Sequence, residues 1–300
     1  MWDAWEESFW LPENVSWNDM KDNENAHYPH AADLIYTIIL GFMLLVLRLV
    51  LESVVFIPIG WWGGWIRSPV LPRIWVHITG RLKLLIMLRE PHLKDVSECW
   101  RGWPHHNISD SIWWYYILET SFYWALLIGT LFIDIRRADF KQMMFHHAIT
   151  ILLLYLSWAM NMVRVGTLVL FIHDAADIFI EMAKIARYAQ WKGALTILFV
   201  IFIVVWTTTR LIYYPFWILW SVWFDAPELI QSSYQWTNIW QRPIVPRILM
   251  VMLSLLLILH IFWTYIILKV AFKSVTCGEL DDVREESDSE EVVTYRAKKE

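Results

Sequence analysis

The chain has 300 residues, of which 57% are hydrophobic and 22 are tryptophan, and it carries a formal charge of −5; its mean hydropathy is +0.40. This composition excludes an ordinary soluble domain and indicates an integral membrane protein, and the acidic balance gives no footing for nucleic acid. Two cysteines, Cys99 and Cys277, are too few for a disulfide framework or a zinc site.

Taken in chain order, residues 1–30 hold seven acids and one lysine, while residues 279–300 hold nine acids and four bases, so a basic middle lies between two acidic ends. The N-terminus has no basic stretch followed by an apolar core, so no cleavable signal peptide is expected and insertion rests on the first internal span. Stretches of roughly 20 mostly apolar residues fall at about 33–57, 112–133, 143–160, 165–183 and 247–271. A further one, 194–223, is long enough to be tilted or kinked near Pro215. Short connections join them: "DIRRADFK" (134–141), "NMVRV" (161–165) and "KIARYAQWKG" (184–193). The expected fold is all-α, a polytopic membrane helical bundle of six or seven transmembrane helices.

Orientation follows from the basic loops. Arg136, Arg137 and Lys141 lie two crossings before Lys184, Arg187 and Lys192, and Lys269 and Lys273 follow two crossings later, so all three clusters can be cytosolic. Residues 1–30 and 103–111 would then be lumenal, which suits the sequons at Asn14 and Asn107. This arrangement requires one more crossing between residues 58 and 103. The only stretch for it, "VLPRIWVHITGRLKLLIML" (70–88), carries Arg73, His77, Arg81 and Lys83, and each central Arg or Lys costs about 2.5–3.5 kcal/mol. Composition alone therefore favours an interfacial amphipathic segment, with the N-terminus cytosolic or one crossing missing.

Ionisable residues inside spans are expensive and mark function. His146 and His147 open one span, and "FIHDAADIFIEMAK" (171–184) places His173, Asp174, Asp177 and Glu181 in the next. His173, Asp177 and Glu181 repeat at four residues and share a helix face, with Asp174 about 100° aside. The five-residue link makes the two spans an antiparallel pair, which brings 146 and 147 level with 173–181. A histidine beside a carboxylate is a general acid/base unit, and histidine is also a nucleophile. The alternative is polar glue between helices or a wet helix end. A metal centre is not expected, because the other histidines are scattered, with His260 alone in the last span. Arg136, Arg137, Lys141 and Lys184 would ring the cytosolic mouth and could hold the phosphates of coenzyme A, the alternative being topology signalling and attraction to anionic lipid.

The run from "DIRRADF" through "FHHAITILLLYLSW" to "NMVRVGTLVLFIHDAADIFIEMAKIARY" strongly resembles the Lag1 motif of ceramide synthases, within the TLC domain. "FWLPENVSW" (9–17), "YYILETSFYW" (115–124), "TTRLIYYPFWIL" (208–219) and the acidic tail "DDVREESDSEE" also look like the animal members, and the likeness covers about 1–52 and 103–291. It implies N-acylation of a sphingoid base by a fatty acyl-CoA in the endoplasmic reticulum membrane, with a cytosolic C-terminus and no cofactor beyond acyl-CoA as substrate. It further implies His146 and His147 as the catalytic pair and Asp174 and Asp177 as residues that orient and charge-balance them. His173, Arg164 and Glu181 are in supporting positions. Membrane lipid and a homo- or heterodimer with ceramide synthases are the other implied partners.

The likeness divides the chain into a lumenal segment (1–30), a first transmembrane helix (31–58), a divergent basic connection (59–102), the TLC/Lag1 catalytic membrane domain (103–273) and an acidic cytosolic tail (274–300). Residues 53–102 keep no recognisable homeobox-like segment or additional span, so a shortened form is expected. The competing readings are a non-catalytic TLC-domain lipid sensor or carrier, and an inactive regulatory subunit of a ceramide synthase dimer. The paired histidines discriminate against the first. Ser287 and Ser289, each followed by acids, match acidophilic phosphorylation sites. The loop 224–246, where the family sets acyl-chain preference, gives no length readout in its residue types.

Overall fold

A computed structural model describes residues 6–22, 26–51, 53–54, 86–134 and 137–277. Among the described residues six long helical elements form the bundle and no strand occurs. They are α1 (Leu34–Leu51), α2 (Asp110–Phe132), α3 (Phe140–Ala159), α4 (Val163–Tyr188), α5 (Lys192–Trp206), which runs on as a π-helix over Thr207–Leu219, and α6 (Val245–Cys277). The all-α membrane bundle expected from the sequence is thus the observed fold.

Two kinds of helix build it. The stretches Ala31–Leu51, Lys192–Ile230 and Val245–Thr276 are long and apolar enough to cross a membrane, and only 17%, 17% and 33% of their most apolar windows is buried inside the protein. Their side chains face outward, where lipid would cover them. Helices α2, α3 and α4 instead bury polar groups, among them Glu119, Thr120 and Ser121 on α2, His147 and Ser157 on α3, and Thr167, His173 and Glu181 on α4.

Close backbone approach locks the inner and outer helices together. A Cβ on Gly41 of α1 would sit 2.7 Å from Trp124 Cβ and 2.8 Å from the Ser121 carbonyl oxygen, so only glycine lets α1 lie this near α2. At the α3–α4 turn Asn161 takes a left-handed φ of 52°, and its Nδ2 donates to the carbonyls of Pro104 (2.7 Å) and His106 (3.0 Å). The short link produces the antiparallel pair that its length required. Pro215, where a kink was expected, falls inside the π-helix instead. The wider turn accommodates the missing proline N–H and keeps Arg210, Tyr214 and Ile218 buried on one side.

The loops gather into a cap at one end of the bundle. Ile108 N–H donates to the His27 carbonyl at 2.9 Å and Ile244 N–H to that of Phe9 at 2.8 Å. Trp158 Nε1–H reaches the His30 carbonyl (2.9 Å), and Trp103 Nε1–H that of Met160 (2.9 Å). At the opposite end Arg48 pairs with Asp134 at 2.6 Å, the end that also holds the basic residues after α2 and near the C-terminal ends of α4 and α6. Leu51 therefore lies at the basic end, whereas His92, which bonds Thr167 one turn into α4, lies in the cap. Leu51 and His92 thus stand at opposite ends of the bundle. The stretch 70–88, read from composition as an interfacial amphipathic segment, falls outside the described residues up to residue 85.

His92 ties the cap to the bundle. Thr167 donates its hydroxyl to the Arg164 carbonyl (2.8 Å), so His92 Nε2, 3.1 Å away, must be the donor of their bond. Burial, reinforced by the positive charge of Arg164, pushes the His92 pKa down to about 4. In the unfolded chain a histidine takes up a proton near pH 6.5, which folded His92 rejects. Stability therefore falls as pH drops from about 6.5 to about 4, by as much as ~3 kcal/mol. Glu90, whose carboxyl burial pushes up and whose Oε2 lies 3.9 Å from His92 Nδ1, acts in the opposite sense. His92→Gln, which keeps a donor toward Thr167, should flatten this part of a Tm-against-pH curve in detergent, and a slope identical to wild type would contradict the assignment.

Candidate active site

The two sequence-predicted halves meet around Tyr123 of α2. Its ring centroid lies 6.4 Å from that of His146 and 6.2 Å from that of His147. Adjacent on α3, the two imidazoles point about 100° apart, and their centroids are 5.5 Å apart. From α6, Trp263 stands edge-on to His146 at 5.3 Å and donates its Nε1–H to Asp139 Oδ2 at 3.2 Å, which fixes the indole. On the α4 side both Asp174 and Asp177 are within electrostatic reach of the Tyr123 hydroxyl, as are Glu119 and Arg210. One polar layer thus crosses the bundle.

A second histidine pair lies beside it. His173 Nδ1–H donates to the Val169 carbonyl at 2.6 Å, which leaves its Nε2 as an acceptor. His260 Nε2, at 2.9 Å, supplies the hydrogen. The expectation that His260 stands alone in the last span is therefore corrected: α6 carries it to α4 across a sequence separation of 87. Arg210 of the π-helix binds the His173 carbonyl through Nη2, and the same nitrogen lies 3.4 Å from Asp177 Oδ1. The Arg210 side chain is 5% exposed, whereas that of Asp177 retains 49% of its surface.

Sequence reasoning passed over Arg210, although the rule that charges inside spans mark function applies to it within 194–223. It also passed over Tyr123 and Glu119, for which periodicity gives no signal. The remaining residues lie elsewhere. Arg164, nine residues before His173 and so roughly 14 Å along the helix, sits in the cap and donates to the Glu98 carbonyl at 2.8 Å. Glu181 pairs with Lys184 at 2.6 Å. Arg137 and Lys141 are at the basic end, partly buried and exposed respectively, and Arg136 lies outside the described residues. Asn14 and Asn107 are both exposed on the cap, where the Asn107 carbonyl oxygen accepts from His27 N–H at 2.8 Å. Ser287 and Ser289 lie outside the described residues.

An apolar cavity runs from this layer into the cap. Tyr123, Thr150 and His173 line its inner end, Leu153, Leu170 and Leu253 its wall, and Trp100, Tyr234 and Trp236 its cap end. From His173 to Met162, both lining residues, α4 rises roughly 16 Å. The cavity walls offer an alkyl chain only apolar surface over most of their length.

The His173–His260 bond yields a stability test. His260→Phe leaves the buried His173 Nε2 lone pair without a donor and should cost about 1–3 kcal/mol, read as a lower Tm in detergent. Adding His173→Phe removes that orphaned acceptor and should cost less than the two single changes combined. Strict additivity would contradict the bond.

Comparison with known proteins gives the family. The TLC domain model of the TRAM, LAG1 and CLN8 family matches residues 74–269, beginning inside the segment read from the sequence as divergent. Ceramide synthase hyl-2 of Caenorhabditis elegans is 45% identical over 95% of this chain and 93% of its own length. Ceramide synthase hyl-1 of the same organism is 39% identical over 94% and 83%. Human ceramide synthase 5 is 30% identical over 97% and 88%. The chain belongs to the TLC-domain family and, within it, to the ceramide synthases.

Proposed function

We propose that the chain transfers a fatty acyl group from acyl-CoA to the amine of sphinganine or sphingosine, forming dihydroceramide or ceramide. The observation that carries this reading is the junction of a buried histidine and carboxylate layer with an apolar cavity. The alkyl chain of the acyl donor lies in the cavity, which puts its thioester carbonyl at the inner end, beside Tyr123 and within reach of His146 and His147.

A sphingoid base arrives as an ammonium ion and cannot attack until it loses a proton. One imidazole of the pair accepts that proton, and Asp174 and Asp177 stabilise the imidazolium that results. The neutral nitrogen then forms the C–N bond and gives up a second proton as the C–S bond breaks; the departing sulfur takes one of the two protons and the other is released to water. If the other imidazole is first acylated, the same carbonyl is passed to the amine in a second step. Positioned acid/base catalysis of this kind is typically worth about 10² to 10⁴ in rate.

The basic end suits the polar part of the donor. Arg136, Arg137 and Lys141 would meet coenzyme A phosphates there, with Lys184 contributing less because Glu181 already holds it. In this arrangement the basic end is cytosolic, the membrane is the endoplasmic reticulum, and the cap is lumenal, with Asn14 and Asn107 as glycan acceptors. Ser287 and Ser289 would be phosphorylated in the cytosolic tail.

Purified protein given sphinganine and acyl-CoAs of several lengths should form dihydroceramide. His147→Ala and Asp177→Asn should lower the rate about 10²-fold or more. No product from the wild type, or undiminished product from either variant, would contradict the proposal.

A further inference from the structure

Arg210 is a full positive charge inside the bundle, and its surroundings are unusual for a merely structural cation. It sits on a π-helical stretch with Tyr214 and Ile218, all three buried. π-Turns are frequently found at functional sites. The guanidinium carbon stands 4.8 Å from the centroid of Trp206, and Nη2 bridges two acceptors on one turn of α4, the His173 carbonyl and Asp177 Oδ1. Those two acceptors are four residues apart, so one nitrogen grips both ends of the turn from which Asp177 projects.

Asp177 has the larger exposed surface of the two and lies within electrostatic reach of Tyr123, whose ring meets His146 and His147. An unpaired carboxylate there would be a heavy burden in a low-dielectric interior. A planar guanidinium can hold a carbonyl and a carboxylate together, whereas an ammonium acts as a single point charge.

On the reading that this layer acylates a sphingoid amine, we propose that Arg210 is a positioning residue, which keeps the Asp177 carboxylate charged and directed toward the catalytic histidines. It touches neither substrate. Its effect is felt once substrate is bound and the proton is to be moved, so kcat should respond more than KM.

Steady-state kinetics of wild type, Arg210→Lys, Arg210→Met and Arg210→Met/Asp177→Asn test this, with Tm measured for each in detergent. Arg210→Met should lower kcat about 100-fold with both KM values within about threefold of wild type. Arg210→Lys should recover to within about tenfold of wild type, because it restores the charge without the fork. Adding Asp177→Asn to Arg210→Met should cost no more than about a further twofold, since the two residues act as a unit. A kcat near wild type in Arg210→Met, a loss confined to KM, or multiplicative losses in the double variant would overturn the inference. If Arg210→Met fails to fold, Arg210→Lys decides: an unchanged Tm with kcat lowered about five- to tenfold supports the assignment, and a wild-type kcat overturns it. A wild type that forms no ceramide contradicts the acylation reading, and the positioning role with it, whereas an active wild type with indifferent variants contradicts the positioning role alone.

Discussion

A polar group inside a lipid-embedded bundle has to find its partner within the protein, and the contact of Arg210 with His173 and Asp177 shows this most sharply. A guanidinium, a carboxylate and a peptide carbonyl meet where bulk water does not compete. Each would be costly alone, and together they hold the π-helical segment against α4. The division of labour among the helices follows from the same constraint. Stretches that face lipid are apolar and little buried within the protein, so the polar residues of α2, α3 and α4 turn inward and collect in one layer.

That layer would be inert without the cavity beneath it. Tyr123 belongs to both, since its ring meets His146 and His147 and it also lines the cavity's inner end. Gly166 lines the same space, and a Cβ there would come within 2.8 Å of the Tyr116 hydroxyl. Tyr116 bonds in turn to the Leu154 carbonyl at 3.1 Å, so α2, α3 and α4 fix the width of the cavity between them. The cap closes its far end with Trp100, which donates to Ser221 Oγ at 2.8 Å, and with Tyr234, which donates to the Pro243 carbonyl at 2.8 Å. A polar end and an apolar space thus share one axis.

Much of this was legible in the sequence. Hydropathy marked six helices, the five-residue link paired α3 with α4, and the charge pattern required the chain to change ends before residue 103. The histidine pair and the His-Asp-x-x-Asp run were visible because ionisable groups in apolar helices are rare. Tyr123 was not, because an aromatic residue in an apolar helix looks like core until its neighbours are known. Arg210 and His260 reach their partners across sequence separations of 37 and 87, and no local period encodes such pairings. The cavity depends on side chains from α2, α3, α4, α6 and the cap at once, which is a property of the assembled bundle.

The most direct test of the site as a whole is photolabelling with a long-chain acyl-CoA that carries a diazirine at the end of its alkyl chain, followed by mass spectrometry of the labelled peptides. Seated in the cavity with its thioester at the histidines, the chain should place its end at the cap, so label is expected on the peptides containing Trp100, Tyr234 and Trp236. Label confined to outward-facing positions such as Ile197 and Phe216, which are 63% and 66% exposed, would contradict the cavity as the seat of the acyl chain.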